Sequence, residues 1–133
     1  MNENDIEELE LLKIELLSAI LFIAGDVLFY IATTEGIEEI YSEYIGEEYD
    51  VNPDIAIIQS EIFYLIARGL LTYVAVKRYN SLYEQYTNGE IEYSLVPDVQ
   101  FIIGNIFGFI GYYYEFIAAI GIYERNINEP IFE

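Results

Sequence analysis

The sequence predicts an all-α protein: three long helices, suited to crossing a membrane and packed as a bundle, plus a short amphipathic surface helix in the first connection. Two observations lead there. The chain of 133 residues is 54% hydrophobic with a mean hydropathy of +0.27, yet it carries a net charge of −19. Acids crowd the ends and connections, whereas apolar residues fill three runs, 16–32, 55–76 and 99–123, of 17, 22 and 25 residues. A helix needs about 20 residues to cross a hydrocarbon core of roughly 30 Å. The expected spans are 16–33, 55–76 and 98–123, within a single domain covering 1–133.

The N-terminal stretch is acidic and lacks the positive start and small-residue cleavage pattern of a secretory signal, so the first run is expected to remain as a span. That run has only Ser18 and Asp26 as clearly polar residues. Gly36 offers a stop for the helix after it. Between 33 and 52 lie seven acids and no base, with Ile37, Ile40, Tyr41 and Tyr44 at helical spacing. That pattern suggests the short surface helix. Glu38, Glu39, Glu43, Glu47, Glu48 and Asp50 there lack the regular ligand spacing of a calcium loop and read as a solvated acidic surface.

Asn52-Pro53-Asp54 opens the second helix with an N-cap, a Pro at the first helical position and an acid in the first turn. Tyr79, Leu82, Tyr83 and Tyr86 share one face beyond its apolar run, so this helix should continue past the span. Asn88-Gly89 marks the turn that follows. Pro97-Asp98 starts the third helix. The second and third runs resemble each other weakly at an offset of 44, with Pro53-Asp54 matching Pro97-Asp98 and Ile62-Phe63 matching Ile106-Phe107; shared start signals account for most of that.

A soluble helix must show water a polar face about half its circumference wide. These runs do not, and a chain this short cannot bury three such helices within itself. Insertion is nevertheless finely balanced. The first run holds ten Leu, Ile, Phe or Val residues, together about −3 to −6 kcal/mol, against roughly +3 for a central Asp. The alternative is a soluble all-α interaction protein that hides its apolar faces in an obligate oligomer. Lys13, Lys77 and Arg78 fall on one side of the proposed threading and Arg125 on the other, which puts the N-terminus in the cytoplasm and the C-terminus outside.

The chain has no Cys and no His. Ser-His-Asp and Cys-His catalysis are therefore excluded, and a zinc site is not expected. The acidic balance opposes nucleic-acid binding. No phosphate loop, haem or flavin motif occurs, so neither cofactor nor metal is expected, and the chain reads as non-enzymatic. The expected partners are the lipid bilayer and either a second copy or another membrane protein.

Four ionisable residues lie inside the runs: Asp26, Glu61, Arg68 and Glu115. Such residues in a span are functional candidates. With the N-terminus inside, the acids fall about 9, 9 and 12 Å below the outer surface at about 1.5 Å per residue. A shared outward-facing cation or proton site is the functional expectation; a structural pair of Arg68 with Asp26 or Glu115 is the plainer one. Gly104, Gly108 and Gly111 fall on one side of the third helix, at a spacing that lets helix backbones approach closely. Tyr112-Tyr113-Tyr114 points three ways, so one or two at most face the bundle.

Overall fold

The structure, a computed structural model, describes residues 1–128. It consists of three helices: α1 (Glu3–Ile45), α2 (Pro53–Thr87) and α3 (Val96–Asn128). All three are long and apolar enough to cross a membrane. α2 lies in the middle and packs against both neighbours. Residues near the start of α1 meet the end of α2, and the start of α2 meets the end of α3, so adjacent helices run antiparallel.

Each start has a local cause. Asn2 caps α1 by accepting from the Asp5 N–H at 2.8 Å, and the Asp5 carboxylate accepts from the Asn2 N–H at 3.3 Å. This reciprocal pair satisfies two otherwise orphaned donors. Asn52 caps α2 through the Asp54 N–H at 3.0 Å, with Pro53 at the first position. Ser94 Oγ accepts from Val96 N–H at 3.2 Å ahead of α3.

The separate amphipathic helix expected in the first connection does not form. α1 runs unbroken through Gly36 and the 37–44 stretch, 43 residues in all. One glycine inside a helix costs only about 1 kcal/mol, and the Glu and Ile residues around Gly36 sustain the helix. The stop is Gly46, left-handed at φ 77°, with its N–H donating to Glu43 O and the Glu47 N–H to Ser42 O. This is the pattern that satisfies the last carbonyls. α2 does continue beyond its apolar run, to Thr87. The Tyr79 and Tyr83 rings stack there at 5.9 Å, and Asn88 and Gly89 end the helix.

The packing seams repeat every seven residues. On α1 the buried residues are Leu11, Ser18, Gly25 and Ala32; on α2 they include Pro53, Ser60, Ala67 and Val74; on α3, Asn105 and Ala119. A seven-residue period matches left-handed, coiled-coil-like packing. Most of these side chains are small, which brings the backbones close. Ser18 and Ser60 are wholly buried. Their hydroxyls donate to Ile14 O and Ile57 O on their own helices, at 3.1 and 2.7 Å, so neither needs a partner across the seam.

Candidate functional site

The ionisable residues of the three runs gather around a layer of aromatic rings. Phe22 from α1, Tyr64 from α2 and Tyr112 from α3 contact one another, with centroids 6.1 Å (Phe22–Tyr64), 6.2 Å (Phe22–Tyr112) and 5.3 Å (Tyr64–Tyr112) apart. The last pair is stacked. Gly25 makes room for this layer. A Cβ built there would fall 2.6 and 2.9 Å from Tyr64 ring carbons. Of the tyrosine triplet, only Tyr112 turns into the bundle; Tyr113 and Tyr114 are exposed.

On one side of the rings stand the acids. Tyr64 Oη donates to Asp26 Oδ1 at 2.5 Å, tying α1 to α2. Asp26 is otherwise exposed. Glu61, half-buried on α2, has Glu115 of α3 as its charged neighbour. One Glu61 carboxyl oxygen is buried without a hydrogen bond. Glu115 is exposed. The structure thus brings Glu61 beside Glu115, and Asp26 onto the tyrosine ring near them. Among the described residues, no three acidic side chains converge closely enough to hold a metal ion.

Arg68 lies on the other side and makes no ion pair among the described residues. Instead its Nη1 donates to Asn105 Oδ1 at 3.2 Å. Its guanidinium carbon sits 5.3 Å from the Phe22 centroid and 5.7 Å from that of Tyr112. A cation over an aromatic face is attracted by the ring quadrupole, more strongly where water is excluded. Asn105 is oriented in turn by donating to Phe101 O at 2.9 Å. The rings and an amide thus hold Arg68, and neither Asp26 nor Glu115 is its partner. Gly108 packs against this side chain: a Cβ there would lie 3.0 Å from Arg68 Nε. Gly104 and Gly111 have nothing within 4 Å of such an atom and face outward.

Two further clusters flank the rings. Where α1 begins and α2 ends, Arg78 forms a fork with Glu8, Nη2–Oε1 at 2.7 Å and Nε–Oε2 at 3.1 Å, and reaches Glu15 Oε1 at 2.6 Å. These bonds, Glu8 foremost, raise the guanidinium's proton affinity further above its ordinary value. At the opposite end an open groove of about 530 Å³ is lined by Glu39, Glu43, Asp50 and Asp54 among others. Burial, followed by repulsion from Glu43 and then Asp54, raises the Glu39 pKa above its usual 4.5. Asn126 closes this end by donating to Asp54 Oδ2 at 2.8 Å.

Asp26, Glu61, Arg68 and Glu115 were visible in the sequence because charge is conspicuous in an apolar run. Gly25, Phe22, Tyr64 and Asn105 were not, since each is an ordinary constituent of such a run. The seven-residue spacing of Ser18, Gly25 and Ala32 was the signal that could have found Gly25. No known protein family, curated protein or solved structure matches the chain.

Proposed function

We propose that the chain is a non-enzymatic, multi-pass membrane subunit whose task is association, with a second copy or with another membrane protein. The observation that supports this is where the apolar side chains lie. Only Leu11, Ala32, Ala56, Ala67, Val74 and Ala119 form the buried apolar core among the described residues, while residues such as Leu16, Ile23, Phe101 and Phe107 are more than 60% exposed. Water-exposed apolar surface on this scale is not tolerated by a monomeric soluble protein. Lipid, another chain, or both must cover it. The proposed spans are 16–33, 55–76 and 98–123. Three bases on one side against one on the other favour a cytoplasmic N-terminus.

Alkaline carbonate extraction of cells expressing the full chain tests this reading. A spanning protein stays with the membrane pellet. Release into the supernatant as a defined oligomer would replace it with the soluble, obligately oligomeric alternative.

A second reading is favoured by Glu61 and Glu115. Two neighbouring carboxyls, one with a buried oxygen lacking a hydrogen bond, suit a proton or a small cation held between them. Asp26, engaged by Tyr64, would then set the position of the ring beside that site. On this reading Glu61→Gln and Glu115→Gln alter pH-dependent stability or ion flux as a pair, the double variant behaving like either single one. Fully additive effects would show two independent groups.

A further inference from the structure

α3 carries two seams, and among the described residues only one is used. Asn105, Tyr112 and Ala119 face α2. On another face, Gly104, Phe107, Gly111, Tyr114, Ala118 and Gly121 follow alternating steps of three and four residues, the spacing of coiled-coil core positions. All six are exposed. Nothing lies within 4 Å of a Cβ built at Gly104, Gly111 or Gly121, whereas Phe107 and Tyr114 are 71% and 67% exposed. Holes and knobs therefore line a face on which none of the described residues packs.

The order of holes and knobs is what identifies an occupant. Laid antiparallel on a second copy of itself, the seam sets each knob against a hole. Phe107 meets Ala118, Tyr114 meets Gly111, and Gly104 meets Gly121. One step further out in the same register, Gln100 meets Arg125, whose guanidinium can donate to the carboxamide oxygen. Laid parallel, Phe107 meets Phe107 and Tyr114 meets Tyr114. Those bulky layers would hold the glycine layers apart and leave cavities, which are destabilising. The face thus matches knob to hole against its own copy when antiparallel, and knob to knob when parallel in register.

We propose that this face of α3 docks a second copy of the chain, α3 against α3 and antiparallel. The proposal deepens the association reading and rests on it. In a bilayer the two copies must insert in opposite senses, one with the cytoplasmic N-terminus that the bases favour and one inverted. A bias of three bases against one is small, and orientation follows such bases rather than the acids.

The chain contains no cysteine, so disulfide trapping tests the register directly. Two differently tagged copies of the full chain, one Gly111→Cys and the other Tyr114→Cys, are co-expressed and oxidised in native membranes. The mixed disulfide is expected to exceed either homodimeric product at least fivefold. Ile110→Cys with Ile117→Cys, on the flank of the same seam, leaves the glycines intact and should repeat the result. Gly111→Leu should lower the dimer fraction in mild detergent at least tenfold. Dominant 111–111 and 114–114 products would overturn the antiparallel arrangement. Absence of any disulfide from both pairs would overturn docking on this face. Carbonate extraction of the same samples reads the membrane assignment separately, so failure of one is not mistaken for failure of the other.

Discussion

At Gly25 the space that a Cβ would fill is taken by the Tyr64 ring, and that ring cannot easily yield. It is stacked on Tyr112, packed against Phe22 and bonded through its hydroxyl to Asp26. Gly25→Ala should therefore destabilise the fold by about 1–3 kcal/mol, the usual cost of overpacking a tight site. Thermal unfolding in detergent measures it, and an unchanged midpoint would mean that the two helices can separate there freely. Gly108 differs, because its neighbour is the guanidinium end of Arg68. Gly108→Ala should push that group off Asn105, and Arg68→Met should relieve the crowding. A Gly108→Ala penalty that shrinks in the Arg68→Met background would establish the coupling; equal penalties in both backgrounds would refute it.

α1 and α2 are joined along one seam and locked at one end. Arg78 holds Glu8 and Glu15 seven residues apart on α1, and so fixes the two helices axially as well as laterally. Arg78→Ala should cost about 1 kcal/mol, because the site is part-exposed and surface pairs are individually weak. The loss should shrink in high salt, which thermal melts at two ionic strengths would reveal. The two glycines near the end of α1 make a sharper test. Gly36 is helical with open space around it, so Gly36→Ala should stabilise α1 by about 0.5–1 kcal/mol. Gly46 sits at φ 77°, also in open space, so Gly46→Ala should destabilise by about 1 kcal/mol from backbone conformation alone. Opposite signs in denaturation place the end of the helix at 46; reversed signs would place it at 36.

Those glycines also show what could be read from the residues in advance. Three helices and most of their starts were legible because Asn-Pro-Asp and apolar length act locally. Where α1 ends was not. Gly36 and Gly46 are equally good stops in isolation, and the choice depends on whether the intervening residues prefer to remain helical. The amphipathic pattern at 37–44 was real, but it marked the continuation of α1. The charged residues of the candidate site are legible as well, since each is costly where it stands. Their partners are not. A base among acids suggests an ion pair, yet Arg68 is engaged by Phe22, Tyr112 and Asn105, groups that carry no charge to betray them. The tight seam is hard to read from sequence for a related reason. In an apolar helix a buried stripe is distinguished by small size, which hydropathy does not register, and the Gly-rich stretch of α3 is more conspicuous than the Ser18–Gly25–Ala32 spacing on α1.

Across the whole molecule the charge is one-sided, at −19, and its effect on stability is concentrated where acids crowd. Glu39 holds its proton more tightly in the folded chain than the usual value of 4.5, through burial and then its neighbours Glu43 and Asp54. A group whose pKa rises on folding favours the folded state while protonated. Its contribution is present below about pH 4 and is lost as the pH climbs through the raised value. Glu39→Gln should therefore be more stable than the parent at neutral pH, and the difference should vanish in acid. Paired unfolding curves at pH 7 and pH 4 decide this; a difference that grows in acid would contradict it.

The three apolar runs differ in length, at 17, 22 and 25 residues. At about 1.5 Å per residue they measure roughly 26, 33 and 38 Å, against a hydrocarbon thickness of about 30 Å. In a bilayer α3 has length to spare and accommodates it by tilting, whereas α1 is short and must stand upright. Acids flank the α1 run on both sides, so neither end can be drawn into the hydrocarbon. The lipid has to give way instead, thinning beside α1 at a cost of fractions of a kcal/mol per ångström. In a bilayer a molecule whose runs differ this much in length would be sensitive to membrane thickness.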